Sequence, residues 1–231
     1  MIKSGLFKLI LRILKLLLIL FITISLLWVL LYRFVNPPVT WLMITRGFER
    51  KADGKDWKIN KHWIAFDSIA DPMKRAAVAS EDQLFLEHHG FDLNAIEKAI
   101  DKNQHSKKLM GGSTISQQTA KNVFLWPGRS YVRKAFEAWF TMLIEIFWSK
   151  ERIMEVYLNV IEMGDGIYGV DAAAQNYFHK SAAHLTKAQS ALIVAVWPNP
   201  LKWSPVAPTV YIQHRKFLIM KNMKRLGPLD F

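Results

Sequence analysis

The sequence predicts a mostly α-helical protein preceded by a single N-terminal transmembrane helix. An uncharged apolar run near the N-terminus is nearly long enough to cross a bilayer. Helix-capping residues precede stretches with an apolar period of 3.6 residues along much of the remaining chain. Signals for β-strands are scarce, and only residues 57–66 suggest a short extended segment. These observations indicate one principal helical domain behind a membrane anchor.

The first 35 residues differ in composition from the rest of the chain. Residues 16–32 carry no charge, and as a helix they span about 25 Å. They reach a membrane-spanning length once Lys15 and Arg33 extend toward the headgroups. Most basic residues of this region precede the run, so the positive-inside rule places the N-terminus in the cytoplasm. No small-x-small cleavage site follows Trp28, so we expect an uncleaved anchor; a cleaved signal peptide is the alternative.

Composition excludes several classes of protein. A hydrophobic content of 51% argues against disorder, and the absence of cysteine excludes a disulfide scaffold, an iron–sulfur cluster and a thiol nucleophile. The formal net charge is +12, and only five of the 31 basic residues lie in residues 1–33. The rest of the chain therefore stays basic, which suits a partner with headgroups or phosphates. It has no Arg-rich tract or RNA-binding aromatic signature, so we expect no nucleic-acid partner.

Helix signals follow one another after the anchor. Pro37-Pro38 stops any helix, and residues 36–68 are interpreted as a linker and membrane-proximal segment before a domain at 69–231. Asp71-Pro72 has the pattern of an N-cap followed by proline at the first helical position. Ser149 is a candidate cap for the helix that follows it, and Thr186 and Gln189 form a capping box before an apolar run. The predicted helices cover about 71–80, 92–101, 114–122, 131–148, 149–160, 171–177 and 186–197, with a basic flexible segment near 102–110.

The first of four polar stretches begins at Glu81, near the end of a predicted helix. A carboxylate there gains nothing from the helix dipole, which favours cations at that end. This placement favours a functional role for Glu81. The structural alternative is an exposed acid with Asp82 as a turn former.

The second stretch runs from Gly111 to Asn122. Thr114, Gln118 and Lys121 are spaced to share one face of a helix, which shows no apolar stripe. A glycine pair before a helix N-terminus is a candidate phosphate cradle, although it is not a Walker loop. The alternative is a solvated surface helix, but hydroxyl and amide residues do not favour one.

Two further stretches carry charge or glycine. Arg129, Arg133 and Lys134 lie close to Glu137 in the sequence; a helix salt bridge worth a few tenths of a kcal/mol is the structural alternative. The fourth stretch joins residues 157–159 to the glycines of 164–169, and we interpret it as a loop packed tightly on a helix.

In order along the chain, these stretches resemble the motifs of the peptidoglycan glycosyltransferases, glycosyltransferase family 51, and in particular the monofunctional biosynthetic peptidoglycan transglycosylases. The resemblance covers about residues 69–200. The matched motifs are ED-x-x-F-x-x-H-x-G at 81–90, GGST-I-T-QQ-x-x-KN at 111–122 with Ser116 in place of Thr, RK-x-x-E at 133–137, K-x-x-ILE-x-YLN at 150–159 with Met154 in place of Leu, and the glycine-rich pattern at 164–178.

The resemblance implies a fold and a reaction. The fold is a lysozyme-like helical head with a smaller membrane-proximal jaw, at roughly 92–112. The reaction is polymerisation of lipid II: the acceptor's GlcNAc C4 hydroxyl attacks the donor's MurNAc anomeric carbon with inversion, and undecaprenyl pyrophosphate leaves. The expected partners are lipid II, the nascent glycan strand and membrane lipids, with other cell-wall synthesis or division proteins as candidates. The implied location is the bacterial inner membrane, single-pass, with the catalytic domain in the periplasm.

The resemblance also implies residue roles. Glu81 matches the general base, which a sugar hydroxyl needs because its pKa lies far above 7. Glu137 matches a second essential Glu, near which we expect a divalent cation, Mg²⁺ or Mn²⁺, and no organic cofactor. The pyrophosphate is already anionic, so it needs charge stabilisation more than an acid. The expected substrate-binding positions are Asp82, Phe85, His88, Ser113, Thr114, Gln118, Lys121, Asn122, Arg129, Arg133 and Lys134, of which the first three serve mainly to hold Glu81.

Two other classes of function stay open. A lysozyme-like hydrolase or lytic transglycosylase also uses a Glu in a helical fold, but it needs an acid for a poor leaving group and no cation cluster. A non-enzymatic, membrane-tethered cell-wall scaffold would leave Glu81 and Glu137 unexplained.

Overall fold

The computed structural model describes residues 2–94, 97, 101, 112–128 and 130–231. Helices dominate these residues, which confirms the predicted fold class. The chain separates into two compact units, Met1–Asn36 and Pro37–Phe231. The basic segment at 102–110 and Arg129 lie outside the described residues, as do most of the predicted jaw at 92–112 and half of the predicted helix at 92–101.

The first unit is a single long helix, α1, over Ile2–Phe34. Its part from Phe7 to Phe34 is the one helix among the described residues that is long and apolar enough to cross a membrane. Arg33 lies in its last turn, and no acidic residue lies in its first turn. This unit is consistent with the predicted single-pass anchor.

The described residues of the second unit include eight further helices, two 3-10 turns and three short strands. In chain order they are α2 (Trp41–Ala52), β1 (Asn60–Lys61), a 3-10 turn (Phe66–Ser68), α3 (Asp71–Glu81), α4 (Ile115–Phe124), α5 (Tyr131–Phe147), α6 (Lys150–Val160), β2 (Glu162–Gly164), β3 (Ile167–Tyr168), α7 (Val170–Phe178), a 3-10 turn (Ala182–His184), α8 (Lys187–Val196) and α9 (Val210–Arg225).

The predicted caps mostly stand where expected. Ser149 caps α6, and Thr186 forms its capping box with Gln189 at the start of α8. The predicted cap of α3 was wrong by one residue, because Ala70 is the N-cap and Asp71 is already helical. On α5 the apolar residue Val132 is exposed, while Phe140 and Ile144 are buried.

Two helices were not predicted from the sequence. The first, α2, lies in the segment that we interpreted as a linker, and Thr40 caps it by accepting from the Met43 N–H at 3.4 Å. The second, α9, packs against α3 and α8. Their sequences are rich in charged residues, so each presents only a few buried side chains, among them Met43 on α2 and Ile219 on α9.

The three strands form one small sheet in the order β1-β3-β2. β1 pairs in parallel with β3, and β2 pairs antiparallel with β3 through an irregular register between Glu162 and Gly164. At Gly169, which follows β3, φ is +79° and an added Cβ would lie 2.7 Å from the carbonyl oxygen of Asn159. This close approach supports our interpretation of the glycine-rich stretch as a tightly packed loop.

Helix α4 lies at the centre of the second unit, packed against α5 and α6. The prediction that it has no apolar stripe was wrong, because Ile115, Ala120, Val123 and Phe124 are all buried. Phe124 stacks on Phe140 of α5 with ring centroids 4.6 Å apart. The polar residues of α4 are therefore held at fixed positions inside the protein rather than on a solvated surface.

Candidate active site

Glu81 is the last residue of α3, and a neighbouring helix holds its carboxylate. The Gln118 side-chain amide on α4 donates to Glu81 Oε2 at 3.0 Å, and the Ser80 hydroxyl donates to Oε1 at 3.0 Å. The Gln118 carbonyl oxygen in turn accepts from the Tyr157 hydroxyl at 3.2 Å. Burial and then the charges of Glu81 and Asp82 hold the pKa of Tyr157 well above its usual value, so Tyr157 remains a donor. Gln118 is thereby oriented with its NH₂ toward Glu81.

The segment that follows Glu81, residues 82–90, is held by a buried carboxylate. Asp82 Oδ2 accepts from the backbone N–H of Ile115 at 2.9 Å. His88 Nε2 lies 2.9 Å from Asp82 Oδ1, and His88 Nδ1 accepts from the Gly90 N–H at 3.1 Å. Because Nδ1 is an acceptor, Nε2 carries the proton that points to Asp82. Asp82 and His88 thus join the 82–90 segment to the start of α4.

Phe85 and Thr114 complete this support. Phe85 is fully buried. The Thr114 hydroxyl caps α4 by accepting from the Gln117 N–H at 3.1 Å, and it donates to the Gly90 carbonyl at 2.7 Å. Of the residues expected to bind substrate, Asp82, Phe85 and Thr114 are therefore buried among protein groups and position Glu81 and α4. Ser113, in contrast, is exposed.

Glu137 forms the centre of a cluster of charges on α5. Glu137 is only 3% exposed. Its carboxylate accepts from Arg133 Nη1 at 3.0 Å and is ion-paired with Lys134. The helix salt bridge that we considered as the structural alternative is therefore present. Arg133 nevertheless keeps a second donor, Nε, which is buried and has no hydrogen-bond partner among the described residues. Such a donor is costly to bury unless a ligand satisfies it.

Lys121 joins the two carboxylates electrostatically. Burial lowers the pKa of its ammonium group; the charges of Glu137 and Glu81 raise it, while those of Arg133 and Lys134 lower it. No hydrogen bond or ion pair holds this ammonium group within the part of the chain that the structure describes. Lys121 is therefore a cation available to an anionic ligand, with carboxylates on both sides.

Two cavities meet at this helix. One of about 270 Å³ is lined by two cations, Lys121 and Arg133, with Asn122 and the loop residues Trp126 and Gly128. The other, of about 470 Å³, is lined by Gln118 and by residues from the end of α8, including Trp197 and Asn199. Both cavities share Leu42, Lys121 and Asn122. The first cavity suits an anion, and the second, with amides and an aromatic ring, suits a sugar.

The donor set around Glu137 does not fit a resident divalent metal ion. Both carboxylate oxygens are engaged by cations, Arg133 and Lys134. No group of three His, Asp or Glu side chains that could hold an ion exists among the residues that the structure describes. A protein-held Mg²⁺ or Mn²⁺ needs oxygen ligands in such a group, so no step below depends on one.

Several site residues escaped the sequence analysis. Leu42 lines both cavities and Arg46 lines the larger one. Both residues lie on α2, a helix that the sequence analysis did not predict. Arg46 also bridges to Glu162 on β2 at 3.0 Å. Lys150 contacts the 82–90 segment at the His88 carbonyl and is paired with Glu145. Lys150 opens a recognised motif, but Glu145 lies outside every motif. Asn159, also in a motif, is structural, because its side chain bonds the backbone of Ile64 at 2.8 and 2.9 Å.

Comparison with known proteins agrees with this geometry. The chain matches the family model described as Transglycosylase over residues 51–224. A biosynthetic peptidoglycan transglycosylase of Caulobacter vibrioides is 56% identical over 187 residues, which cover 81% of this chain and 79% of that protein. One of Pseudomonas fluorescens is 47% identical over 207 residues (90% and 86%), and one of Xanthomonas euvesicatoria is 49% identical over 211 residues (90% and 85%). The chain therefore belongs to the transglycosylase family of peptidoglycan glycosyltransferases.

Proposed function

We propose that this peptidoglycan transglycosylase polymerises lipid II, with Glu81 as the general base. Glu81 removes the proton of the acceptor's GlcNAc C4 hydroxyl while that oxygen forms a bond to the donor's MurNAc anomeric carbon. The bond from this carbon to the pyrophosphate oxygen breaks, and its electron pair leaves with undecaprenyl pyrophosphate. The attack comes from the opposite face, so the anomeric centre inverts.

One observation carries this proposal: a single helix, α4, presents Gln118 to Glu81 and, one turn later, Lys121 to a cavity lined by Arg133. The hydrogen bond from Gln118 orients the Glu81 carboxylate, and orientation of a base is a large part of its effect. The cations of the neighbouring cavity suit the developing charge of a pyrophosphate leaving group. Base and charge stabiliser are thus held by the same rigid element.

The two cavities support an assignment of the substrates. We place the donor's pyrophosphate in the smaller cavity, which is lined by the cations Lys121 and Arg133. The acceptor sugar belongs in the larger cavity, which Gln118 lines beside Glu81. Glu137 keeps Arg133 and Lys134 in place through its ion pairs, and it stabilises the cluster when no pyrophosphate is bound.

The hydrolase alternative is less well supported. Cleavage of a glycan needs a second carboxyl group that donates a proton to the leaving sugar oxygen. Glu137 is paired with two cations, which suits charge stabilisation more than proton donation. The scaffold alternative leaves Glu81, held by Gln118, and the cation-lined cavity beside Glu137 unexplained.

The N-terminal helix supports a membrane location for this reaction. A lipid-linked substrate stays in the bilayer, and an enzyme anchored there meets it at a high effective concentration. The basic residues before residue 16 favour a cytoplasmic N-terminus, which would place the catalytic unit in the periplasm. Reporter fusions at either end of the full chain test this topology.

The Glu81→Gln variant tests the base. It keeps the size and hydrogen bonding of the side chain but removes its basicity, so turnover of labelled lipid II should fall about 10²–10⁴-fold. Binding of lipid II should persist, because the pyrophosphate contacts come from Lys121 and Arg133. Glu87→Gln, at an exposed position in the next segment, is the matched control and should be active. Near-normal turnover by Glu81→Gln would refute the assignment.

The same assay separates the candidate reactions. Wild-type protein should build glycan chains from lipid II and leave preformed glycan intact, whereas a hydrolase would do the reverse. Glu137→Gln should weaken lipid II binding through the loosened cations. If added Mg²⁺ or Mn²⁺ changes the wild-type rate but not the rate of Glu137→Gln, Glu137 holds a metal during the reaction. If both respond alike, it does not.

A further inference from the structure

Lys150 contacts the 82–90 segment at its backbone. The ammonium group donates to the carbonyl oxygen of His88 at 2.7 Å and lies 4.7 Å from the centre of the Phe85 ring. A cation over an aromatic face and a charge-assisted hydrogen bond are both stronger than their neutral counterparts. Lys150 therefore fixes the path of the chain at positions four and seven residues after Glu81.

Glu145 holds this ammonium group from the other side. Its Oε1 accepts from Lys150 Nζ at 2.9 Å and also from the Ser116 hydroxyl. The Glu145 side chain is 6% exposed and that of Lys150 19% exposed, so water competes little for the pair. At Gly90, φ is +91° and an added Cβ would lie 3.0 Å from Glu145 Cγ. Glu145 thus contacts both the end of the 82–90 segment and the first turn of α4.

The location of Lys150 in its own helix also needs an explanation. Lys150 is the first residue of α6, where the helix dipole disfavours a cation by about 0.3–1 kcal/mol. Local helix stability therefore does not account for a lysine here. The contacts outside the helix do account for it, since they place its charge against Glu145 and the His88 carbonyl.

These contacts extend to the base. Glu145 binds Ser116, and two residues further along α4 Gln118 donates to Glu81 at 3.0 Å. Lys150 fixes His88, whose imidazole bonds the Asp82 carboxylate next to Glu81. The pair therefore holds both the segment that carries Glu81 and the helix that orients it.

We propose that Glu145 and Lys150 are positioning residues for the general base: they lock the 82–90 segment onto α4 and so set the Glu81 carboxylate against Gln118. This inference rests on the proposed role of Glu81. Neither residue touches substrate in this proposal, so their effect should appear in kcat rather than in binding of lipid II.

Lys150→Met tests the proposal in the full-length protein. Methionine keeps an unbranched stem that packs on the Phe85 ring but cannot donate to His88 or pair with Glu145. We expect kcat for lipid II polymerisation to fall about 10- to 100-fold, the cost of a misplacement of about 1 Å, with the Kd for lipid II unchanged. Lys150→Arg should restore most of the rate. The double variant Glu145→Gln with Lys150→Met should be no slower than Lys150→Met alone, because both substitutions remove the same ion pair.

Arg75→Met is the matched control. Arg75 lies on α3, the helix that ends in Glu81, and like Lys150 it donates to backbone carbonyls, those of Met223 and Leu226 at 3.1 and 2.8 Å. It makes none of the contacts to the 82–90 segment described above. Its loss should lower Tm while kcat stays near that of the wild type.

The outcomes separate this proposal from the role of Glu81. If Glu81→Gln is inactive but Lys150→Met turns over at the wild-type rate, the positioning role is wrong and the base assignment stands. If Arg75→Met and Lys150→Met lose kcat equally at equal loss of Tm, the effect is general loosening of the fold and the proposal fails. If Glu81→Gln is active, the base assignment itself fails.

Discussion

Lys121 illustrates how a residue's surroundings change its chemistry. On a helix surface it would be an ordinary cation, but here burial lowers the pKa of its ammonium group. The neighbouring Arg133 and Lys134 lower it further, whereas the carboxylates of Glu137 and Glu81 oppose them. The negative charge of an anionic ligand would act in the same direction as the two carboxylates and would favour the charged form of Lys121.

The lowered pKa of Lys121 predicts a pH dependence for substrate binding. In the function that we propose, Lys121 binds pyrophosphate as the ammonium form, which exists below its folded-state pKa and is lost as the pH rises through it. Because this pKa is lowered, lipid II affinity should fall at a lower pH than an ordinary lysine would give. Lys121→Arg should keep its affinity across the same alkaline range, since arginine stays protonated. Measuring the Kd for lipid II against pH for both proteins checks this, and identical curves would contradict it.

At the scale of single elements, the start of α4 depends on one hydroxyl. Thr114→Val should lower the free energy of unfolding by about 1–3 kcal/mol, because it removes an N-cap and leaves the buried Gly90 carbonyl without its donor. Thr114→Ser keeps the hydroxyl and should be close to the wild type. Chemical denaturation of the two variants provides the comparison. Equal stability of Thr114→Val and Thr114→Ser would show that the hydroxyl has no such role.

The elements also show where sequence patterns mislead. The polar residues of α4 suggested a functional face. In the structure, Gln118 and Lys121 line the larger cavity beside this helix. The other polar side chains, such as Ser116 and Thr119, are buried and satisfied internally, Thr119 by the carbonyl of Ile115 at 2.9 Å. The sequence alone does not distinguish these cases, because a hydroxyl residue is the same residue type whether it is buried with a partner or exposed to solvent.

At the scale of the whole molecule, contacts within the second unit hold its N-terminal segment, residues 37–40, in place. Lys61 donates to the carbonyl of Pro38 at 3.0 Å and also to that of Pro37, and Thr40, 2% exposed, caps α2. The described contacts that hold this segment thus come from the unit itself.

Deletion of residues 1–35 should therefore leave a folded catalytic unit. Its circular dichroism and protease resistance should match those of a cooperative helical domain. Activity on lipid II in vesicles should fall more than activity in detergent, because the loss is one of membrane capture. A truncated protein that is unfolded, or that loses activity equally in both media, would disprove this separation of roles.

Much of this protein is determined locally and could be predicted from its sequence. The apolar α1, the caps Ser149 and Thr186, and the tight glycine loop at 164–169 each follow from short-range sterics, hydrogen bonding or hydrophobicity. Glu81, Glu137 and the cations near Glu137 were predicted as site residues from the resemblance of their motifs to those of a family. The helix, the caps and the glycine loop depend on neighbours within a few residues, so the order of residues is sufficient for them.

Only the tertiary structure decided the rest, because the decisive partners are far apart in the chain. Arg46 reaches Glu162 across 116 positions, and Lys150 reaches His88 across 62. Helix α9 has little apolar periodicity and packs against α3 and α8. Helix α2 follows the helix stop at Pro37-Pro38 and packs against α4, so local patterns predicted neither helix. Thr114, an expected substrate-binding position, is likewise a buried support of α4, since burial depends on the three-dimensional packing of the chain.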